Sequence, residues 1–309
     1  MTELTRLYPM VQFKKDTWEI DEFDLASMYL LIGSEKAMLI DCGMGVGDLR
    51  GAVEMLTDKP LITVISHNHP DHSGNVRQFD EIWINRKELG QDMPYPLEKR
   101  RFDTERIAAR QKDCIGNPYT MFHLYPYDIN VDLREPAPDT KMPVIHELTD
   151  GMQFDLGGGR IVTAYECPGH APGEMVFLDE MTRTLIAGDA LNFSLFLMGA
   201  PVESALRGLR KIESLKDRYD GIWNGHHDYR AFGAPLDKDC LPTAIRMCED
   251  ILAGNYAPVE EPDAWGQKVP LTRQGEKHSW KTTIRRGRNS ISFKESNIFE
   301  EKRQEGGNR

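Results

Sequence analysis

Short apolar runs separated by polar residues and glycines dominate the first half of the chain, and this pattern is typical of β-strands. Two stretches differ, because residues 48–56 and 97–112 have a composition that favours helix. We therefore predict a helix in each of them. The predicted strands are 11–13, 28–32, 37–40, 61–65 and 81–84.

The second half of the chain continues the alternation of strands and helices. Three consecutive glycines at 157–159 separate two strand-like segments and indicate a hairpin. Apolar residues at helical spacing predict a helix over 205–215, and a second helix is predicted at about 238–252. The predicted strands are 144–148, 152–156, 161–165, 175–178, 184–187 and 222–223, followed by a terminal hairpin over 282–293 that turns at Gly287.

Composition places the chain among ordinary globular proteins. Its 309 residues are 40% hydrophobic and 28% charged, which is sufficient for one large domain with its own core. No apolar run approaches the roughly 20 residues of a membrane span. Lys14 and Lys15 follow the apolar residues at the start of the chain, unlike the charges of a secretory signal. We therefore expect a cytoplasmic protein without a membrane partner.

The cysteines and the net charge exclude further kinds of site and partner. The five cysteines are scattered and form no C-x-x-C pair, which argues against a disulfide framework and against a zinc site of four thiolates. The net charge of -11 would repel a phosphate backbone. We therefore expect a small-molecule substrate and no nucleic-acid partner.

The most unusual stretch is a cluster of histidines directly after the predicted strand 61–65. Three histidines and an aspartate lie within six positions, although the whole chain has only 9 histidines. His67 and His69, at alternate positions of an extended segment, would point the same way. The adjacent Asp71 and His72 would diverge, so this short loop could serve two metal ions. The alternative is a polar turn with surface histidines, which the density of imidazoles disfavours.

The motif H-x-H-x-D-H after an apolar strand, here His67 to His72, is the signature of the metallo-β-lactamase-fold hydrolases, and the chain resembles this family. Three later motifs, Pro168-Gly169-His170, Gly188-Asp189 and Gly225-His226, each follow a predicted strand and occur in the family's order. Each motif alone could be an ordinary loop with a hydrogen-bonded histidine or a capping aspartate. Together they extend the resemblance over about residues 25–230.

The resemblance implies a site for two metal ions, with two zinc ions expected and iron or manganese as alternatives. Imidazole nitrogens and carboxylate oxygens are ligands that zinc accepts. Asp41 either belongs to an ordinary turn that ends a strand or corresponds to the family's first motif. In that motif the aspartate supports the metal site without binding the metal itself. The implied ligands are His67, His69 and His170 for the first ion, Asp71, His72 and His226 for the second, and Asp189 as the bridge between them.

The implied reaction is hydrolysis by a metal-bridging hydroxide that attacks a carbonyl or phosphoryl centre. Asp71 is the expected catalytic residue, which orients this nucleophile and handles its proton, unless it serves only as a ligand. The expected substrate is a small ester, thioester, lactone or amide. The alternatives are a phosphodiester hydrolase on the same metals, an iron-dependent dioxygenase of the persulfide-oxidising sort, and a non-catalytic metal-binding or interaction protein.

Several residues differ from those typical of known branches of the family, and these differences disfavour the reactions of those branches. Asp189 stands where β-lactamases typically carry cysteine, which disfavours antibiotic hydrolysis. His69 stands where the flavodiiron branch normally has glutamate, which disfavours that oxidoreductase. No long insertion separates Asp189 from His226, in contrast to the nuclease branch with an inserted domain. The C-terminal region shows no basic pattern for glutathione, so a glyoxalase II substrate has no support.

Two residues near the motifs are expected to contact substrate, each with a structural alternative. His227 either touches substrate or is a packed loop histidine. Phe193 follows the bridging aspartate and lines either the entrance to the site or the core. The aromatic residues of 119–127, with His123 among them, could likewise shape the pocket or form a surface cluster of their own.

The fold that the resemblance implies is an α/β protein, a four-layer αβ/βα sandwich. Two mixed β-sheets would pack face to face with helices outside, and the metals would lie at one edge in loops between strands. We expect a single domain over residues 1–309, with a variable, pocket-shaping insert at about 90–141 and a C-terminal extension at about 237–309. The terminal hairpin could be a pocket wall or an interface, and a homo-oligomer is possible.

Overall fold

The computed structural model describes residues 3–90, 92–93, 95–113, 132–134, 140–197, 199–227, 230–259 and 281–300, without the side chains of 108–113. All the predicted strands and helices lie within this part of the chain. The aromatic segment 119–127 and the residues after 300 lie outside the described residues.

The first β-sheet contains seven strands that keep their chain order in the sheet. They are β1 (Met10–Lys14), β2 (Thr17–Asp21), β3 (Ser27–Ile32), β4 (Ala37–Ile40), β5 (Leu61–Val64), β6 (Glu81–Ile84) and β7 (Val144–Glu147). Strands β1 to β4 are antiparallel neighbours, whereas β4 to β7 are parallel neighbours. Parallel neighbours need crossover connections, which contain helices α1 (Leu49–Glu54), α2 (Pro70–Ser73) and α3 (Leu97–Asp113).

The remaining strands form a second sheet of five strands and a third sheet of three. They are β8 (Gln153–Asp155), β9 (Ile161–Glu166), β10 (Met175–Asp179), β11 (Thr184–Ile186), β12 (Ser194–Leu197), β13 (Gly221–Trp223), β14 (Thr282–Arg286) and β15 (Asn289–Phe293). The second sheet has the order β13-β11-β10-β9-β8 and is mixed, because only β11 and β13 pair in parallel. The third sheet joins β12 to the predicted terminal hairpin in the order β12-β15-β14.

Two longer helices cover the second sheet. Helix α4 (Val202–Ser214) lies in the connection between β12 and β13, and helix α5 (Cys240–Leu252) follows β13. The buried residues of both helices pack in one cluster with Val176, Leu178 and Leu185 of the second sheet. No helix in the described ranges is long and apolar enough to cross a membrane.

The first two sheets share the central core of the molecule. Tyr29 and Leu31 of β3 pack in one cluster with Val162 and Phe177 of the second sheet. The residue between them, Leu30, points to the opposite face and packs in a different cluster with α1, as the alternation of side chains along a strand requires. The layer order is therefore helix, sheet, sheet, helix, which confirms the expected α/β sandwich of mixed sheets.

The structure adds two strands that the apolar pattern did not predict. Strand β2 is interrupted by acids, yet Glu19 and Asp21 are both fully buried. Strand β12 directly follows Phe193, which was expected at the entrance or in the core, and it pairs in parallel with β15. The other predicted strands and helices occur within a few residues of their expected bounds.

Candidate metal centre

The candidate ligands converge because of the directions of the strands that precede them. Strands β4 and β5 are parallel, so Asp41 after β4 and the histidine loop after β5 leave the first sheet at one edge. In the second sheet, β9, β11 and β13 also run in one direction. The loops that carry His170, Asp189 and His226 follow these three strands. The two sheets therefore bring five separate loops together at one edge of the sandwich.

The first group of converging side chains consists of His67, His69 and His170. Nδ1 of His69 lies 3.0 Å from Nε2 of His67 and 2.8 Å from Nε2 of His170. Burial and the neighbouring imidazoles lower the pKa of His67 well below its ordinary value and that of His69 to about 3. Both rings are thus neutral at pH 7, and their nitrogen lone pairs are available to a single cation between them.

Hydrogen bonds outside this group orient two of its rings. Nδ1 of His170 lies 2.9 Å from the carbonyl oxygen of Phe196. Because a carbonyl only accepts, Nδ1 of His170 carries a proton, and Nε2 is the ring nitrogen that faces the group. Nδ1 of His67 lies 3.0 Å from the hydroxyl of Ser66, which itself donates to Oδ2 of Asp41 at 2.8 Å. Nε2 of His67 therefore also faces the group with its lone pair.

The second group consists of Asp71, His72 and His226. Oδ2 of Asp71 lies 3.7 Å from Nε2 of His72 and 3.5 Å from Nε2 of His226. Nδ1 of His72 is 2.9 Å from Oδ2 of Asp41, so this ring too is oriented from behind. Burial lowers the pKa of His72, but the carboxylates of Asp71, Asp41 and Asp189 outweigh it and raise the value to about 9.

The two imidazoles of the second group lower the pKa of its carboxylate, Asp71. Burial raises the pKa of Asp71, but His72 and His226 outweigh burial and the pKa lies below its usual value. Asp71 is therefore ionised at neutral pH. Carboxylates that stabilise a proton on His72 would stabilise a divalent cation at the same place.

Asp189 lies between the two groups. Its Oδ2 is 3.2 Å from Nε2 of His226 and 3.6 Å from Nε2 of His170, and its Oδ1 is 3.8 Å from Nε2 of His72. Oδ1 of Asp189 and Nε2 of His72 are buried and have no hydrogen-bond partner among the described residues. Buried polar atoms without a partner are costly, and a cation between these two atoms would satisfy both. The donor set of imidazoles and carboxylates suits zinc, iron or manganese.

Gly225 lets the loop of His226 approach the other ligands closely. A Cβ atom at this position would lie 2.6 Å from Oδ1 of Asp189 and 2.7 Å from Cε1 of His72. Gly225→Ala is therefore expected to displace these side chains and to weaken the binding of a zinc ion added to the second group by about 10–100-fold. Zinc titration against a chromophoric chelator measures this effect. Gly159→Ala is a control for backbone strain away from these groups, because Gly159 has a φ of +80° and its Cβ would meet nothing within 4 Å, and equal affinities in the two variants would contradict the prediction.

The structure does not bring the two expected substrate contacts into these groups. His227 is only 1% exposed, with Nδ1 at 2.9 Å from Asp21 and Nε2 at 3.0 Å from Asp24. Phe193 is buried in the core of the second sheet, and the guanidinium of Arg288 lies 4.0 Å from its ring centroid. These positions agree with the structural alternatives stated for the two residues, a packed loop histidine and a core residue, and their contact with substrate stays a prediction.

Two buried glutamates connect the loops of the candidate ligands, and this role was not predicted from the sequence. Glu88 accepts hydrogen bonds from the backbone N–H of Asn68 at 2.9 Å and of Gly173 at 2.6 Å. Glu174 accepts one from the N–H of Asp189 at 2.7 Å, and burial together with Asp189 raises its pKa well above the ordinary value. No local pattern distinguishes these residues from surface glutamates, because their partners are backbone groups of distant loops.

Comparison with known sequences supports the family indicated by this geometry. The model of the metallo-beta-lactamase superfamily matches residues 21–230. Acyl-coenzyme A thioesterase MBLAC2 of Bos taurus is 25% identical over 181 residues, or 54% of this chain and 58% of that protein, and MBLAC2 of Homo sapiens gives the same values. The uncharacterized protein YobT of Bacillus subtilis (strain 168) is 27% identical over 182 residues, or 56% of this chain and 66% of that protein. The chain thus spans less than two thirds of the length of these relatives.

Solved structures provide a comparison of the fold alone, because their sequence identities are low. A metallo-beta-lactamase from Pontibacter korlensis superposes with a TM-score of 0.52 at 14% identity, covering 79% of this chain and 100% of that one. A metallo-beta-lactamase family protein from Thermus thermophilus gives a TM-score of 0.51 at 20% identity, covering 79% and 82%. Because the family model matches more than half of the sequence, the chain belongs to the metallo-beta-lactamase superfamily.

Proposed function

We propose that this protein is a dinuclear metal-dependent hydrolase that cleaves a small ester, thioester, lactone or amide. The observation that carries the proposal is the presence of two adjacent groups of ligand atoms that share the carboxylate of Asp189. Zinc is the proposed metal. The proposed ligands are His67, His69 and His170 for the first ion and Asp71, His72 and His226 for the second, with Asp189 bridging.

The proposed chemistry divides between the ions and the side chains. Two divalent cations, when bound, lower the pKa of a water molecule and polarise the substrate carbonyl. The carboxylate of Asp71 is ionised, and its Oδ2 points towards the two imidazoles of the second group. We assign to it the orientation of the attacking water and the acceptance of its proton. Asp41 and the carbonyl of Phe196 hold His72 and His170 in the tautomers that leave Nε2 free for metal.

Thioesters are the substrates to test first within the proposed class. The relatives with a named activity are acyl-coenzyme A thioesterases, although they are only 25% identical and are matched over 58% of their length. A thioester carbonyl needs the same polarisation and the same water attack as an ester carbonyl. The thioester assignment therefore requires no group beyond the proposed site.

The beginning of the insert at 90–141 lies beside the histidine loop and supports its proposed role in shaping the pocket. The hydroxyl of Tyr95 donates to the carbonyl of Asn68, between the two histidines His67 and His69, at 2.9 Å. Arg100, on α3, donates to the carbonyl of Met44 at 3.2 Å. The start of this segment is therefore attached to the histidine loop and to the loop after β4.

Elemental analysis of protein purified without added metal or chelator tests the proposal. We expect about two zinc ions per chain, lost in the double variant His67→Ala/His69→Ala because it removes two of three ligands from the first site. The zinc-loaded protein is then assayed with acyl-coenzyme A thioesters, simple esters, lactones and phosphodiesters, and we expect turnover of the thioesters. A single bound iron ion together with oxygen consumption would indicate an iron-dependent dioxygenase instead of a hydrolase. Absence of metal from the wild type would refute the ligand assignment.

A further inference from the structure

The loop that carries His226 is attached to the first sheet by a buried ion pair. Arg230 donates to Oε1 of Glu19 at 2.6 Å through Nη2 and to Oε2 at 3.0 Å through Nη1. This two-pronged geometry is the strongest form of an arginine–carboxylate contact. Both side chains are almost completely buried, at 3% and 0% exposure.

The same arginine also fixes the residues next to His226. Its Nε donates to the side-chain oxygen of Asn224 at 2.8 Å, and its Nη2 donates to the carbonyl of Asn224 at 3.2 Å. The hydroxyl of Tyr29 donates to that carbonyl at 2.6 Å. The side-chain amide of Asn224 then donates to the carbonyl of His226 at 2.9 Å. A continuous series of buried hydrogen bonds thus leads from Glu19 through Arg230 to the backbone of His226.

Backbone contacts place the loop between the two sheets. The N–H of Ser27 in β3 donates to the carbonyl of Gly225 at 2.7 Å, and the N–H of Gly225 donates to the carbonyl of Gly188 at 2.8 Å. His227, held between Asp21 and Asp24, attaches the other side of His226 to the turn after β2. These contacts leave the imidazole of His226 as the part of the loop that faces Asp71 and Asp189.

We propose that the Glu19–Arg230 pair is a positioning device for His226 and therefore sets the affinity of the second metal site, but not that of the first. The inference rests on the proposed function, because it assumes that His226 is a metal ligand. The first site has no ligand from this loop, since His67, His69 and His170 come from the loops after β5 and β9. Outer hydrogen bonds of this kind typically change metal affinity by about 10–100-fold.

The chain offers a matched control in a second buried arginine–carboxylate pair. Nη2 of Arg160 lies 2.6 Å from Oδ2 of Asp179, and their side chains are 1% and 0% exposed. Arg160 precedes β9, whereas His170 follows that strand, so this pair lies at the edge of the sandwich opposite the metal groups. The two pairs share chemistry, burial and distance, and only one of them contacts a ligand loop.

The test compares Arg230→Lys with Arg160→Lys, because lysine keeps the charge but cannot form the two-pronged contact. Zinc affinity is measured at each site by competition with a chromophoric chelator, and thermal unfolding is measured in parallel. We expect both variants to lower the unfolding temperature. Only Arg230→Lys is expected to weaken the second zinc equivalent, by about 10–100-fold, with the first unchanged. Glu19→Gln, which removes the charge from the other side, is expected to give the same pattern.

Three results would overturn the inference. Arg230→Lys and Glu19→Gln could both bind the second zinc ion with wild-type affinity. Arg160→Lys could weaken that ion as much as Arg230→Lys, which would attribute the loss to reduced stability in general. A wild type that binds no zinc would refute the proposed function together with this inference, whereas the first two results would leave a wild type with two zinc ions and therefore leave the proposed function intact.

Discussion

Asp189→Asn is expected to lower the rate of hydrolysis by at least about 10³-fold and to weaken the binding of both metal ions. Its carboxylate lies within 3.6 Å of His170 in the first group and within 3.2 Å of His226 in the second. An amide has no charge and turns one of the two oxygens into a donor. Metal ions supply several kcal/mol of transition-state stabilisation, and each loss of about 1.4 kcal/mol is tenfold in rate.

The measurement is kcat/KM with the best substrate of the panel, together with zinc content. Asp220→Asn is the matched control, because this aspartate is half-exposed and pairs with Arg183 away from the ligand loops. We expect the control to keep two zinc ions and wild-type activity. Wild-type zinc content and activity in Asp189→Asn would show that this residue does not bridge the ions.

Arg160→Met is expected to lower the free energy of unfolding by about 3–5 kcal/mol, because it leaves Asp179 charged and buried without its partner. The guanidinium also donates to the carbonyls of Asp16 at 2.8 Å and Ile32 at 2.9 Å and to the hydroxyl of Thr17 at 2.6 Å. Methionine can fill part of the space but can replace none of these bonds. Urea unfolding of the zinc-loaded protein measures the change.

The double variant Arg160→Met/Asp179→Leu distinguishes the effect of the unpaired charge on stability from the effect of lost packing. Removal of both charges is often much less costly than removal of one, so the double variant is expected to recover part of the lost stability. The metal content should remain that of the wild type in both proteins. If Arg160→Met lowers the free energy of unfolding by less than about 1 kcal/mol, the pair contributes no more than an exposed salt bridge, which would contradict the prediction.

The fold and the convergence of the candidate ligands could be predicted because the resemblance to the metallo-β-lactamase family implies both, and the motifs that carry this resemblance are local. Each candidate ligand loop directly follows an apolar strand, and the H-x-H-x-D-H motif places three of the 9 histidines of the chain within six positions. Its geometry also agrees with the expectation from spacing. His67 and His69 belong to one group, whereas Asp71 and His72, in the short helix α2, belong to the other.

The supports of the site could not be predicted, since each of them joins residues that are far apart in the chain. Glu19 and Arg230 are separated by 211 positions. Strand β2 was missed for the same reason, because an alternation of acids with Trp18 and Ile20 resembles an exposed segment until the partner of each acid is known. The burial of His227 likewise depends on Asp21 and Asp24, at the other end of the sequence.

Strand β12 shows how late in synthesis the first ligand group can be completed. Phe196, on β12, accepts the hydrogen bond that orients His170, and β12 is held in register by its pairing with β15. A ribosome that adds ~5–20 residues per second needs ~6–25 s to proceed from His170 to the end of β15. During that interval the nascent chain already carries His67 and His69, but β12 lacks the partner strand β15 that pairs with it in the folded protein. If the orientation of His170 depends on this pairing, the proposed first site becomes preorganised only after β15 has been synthesised.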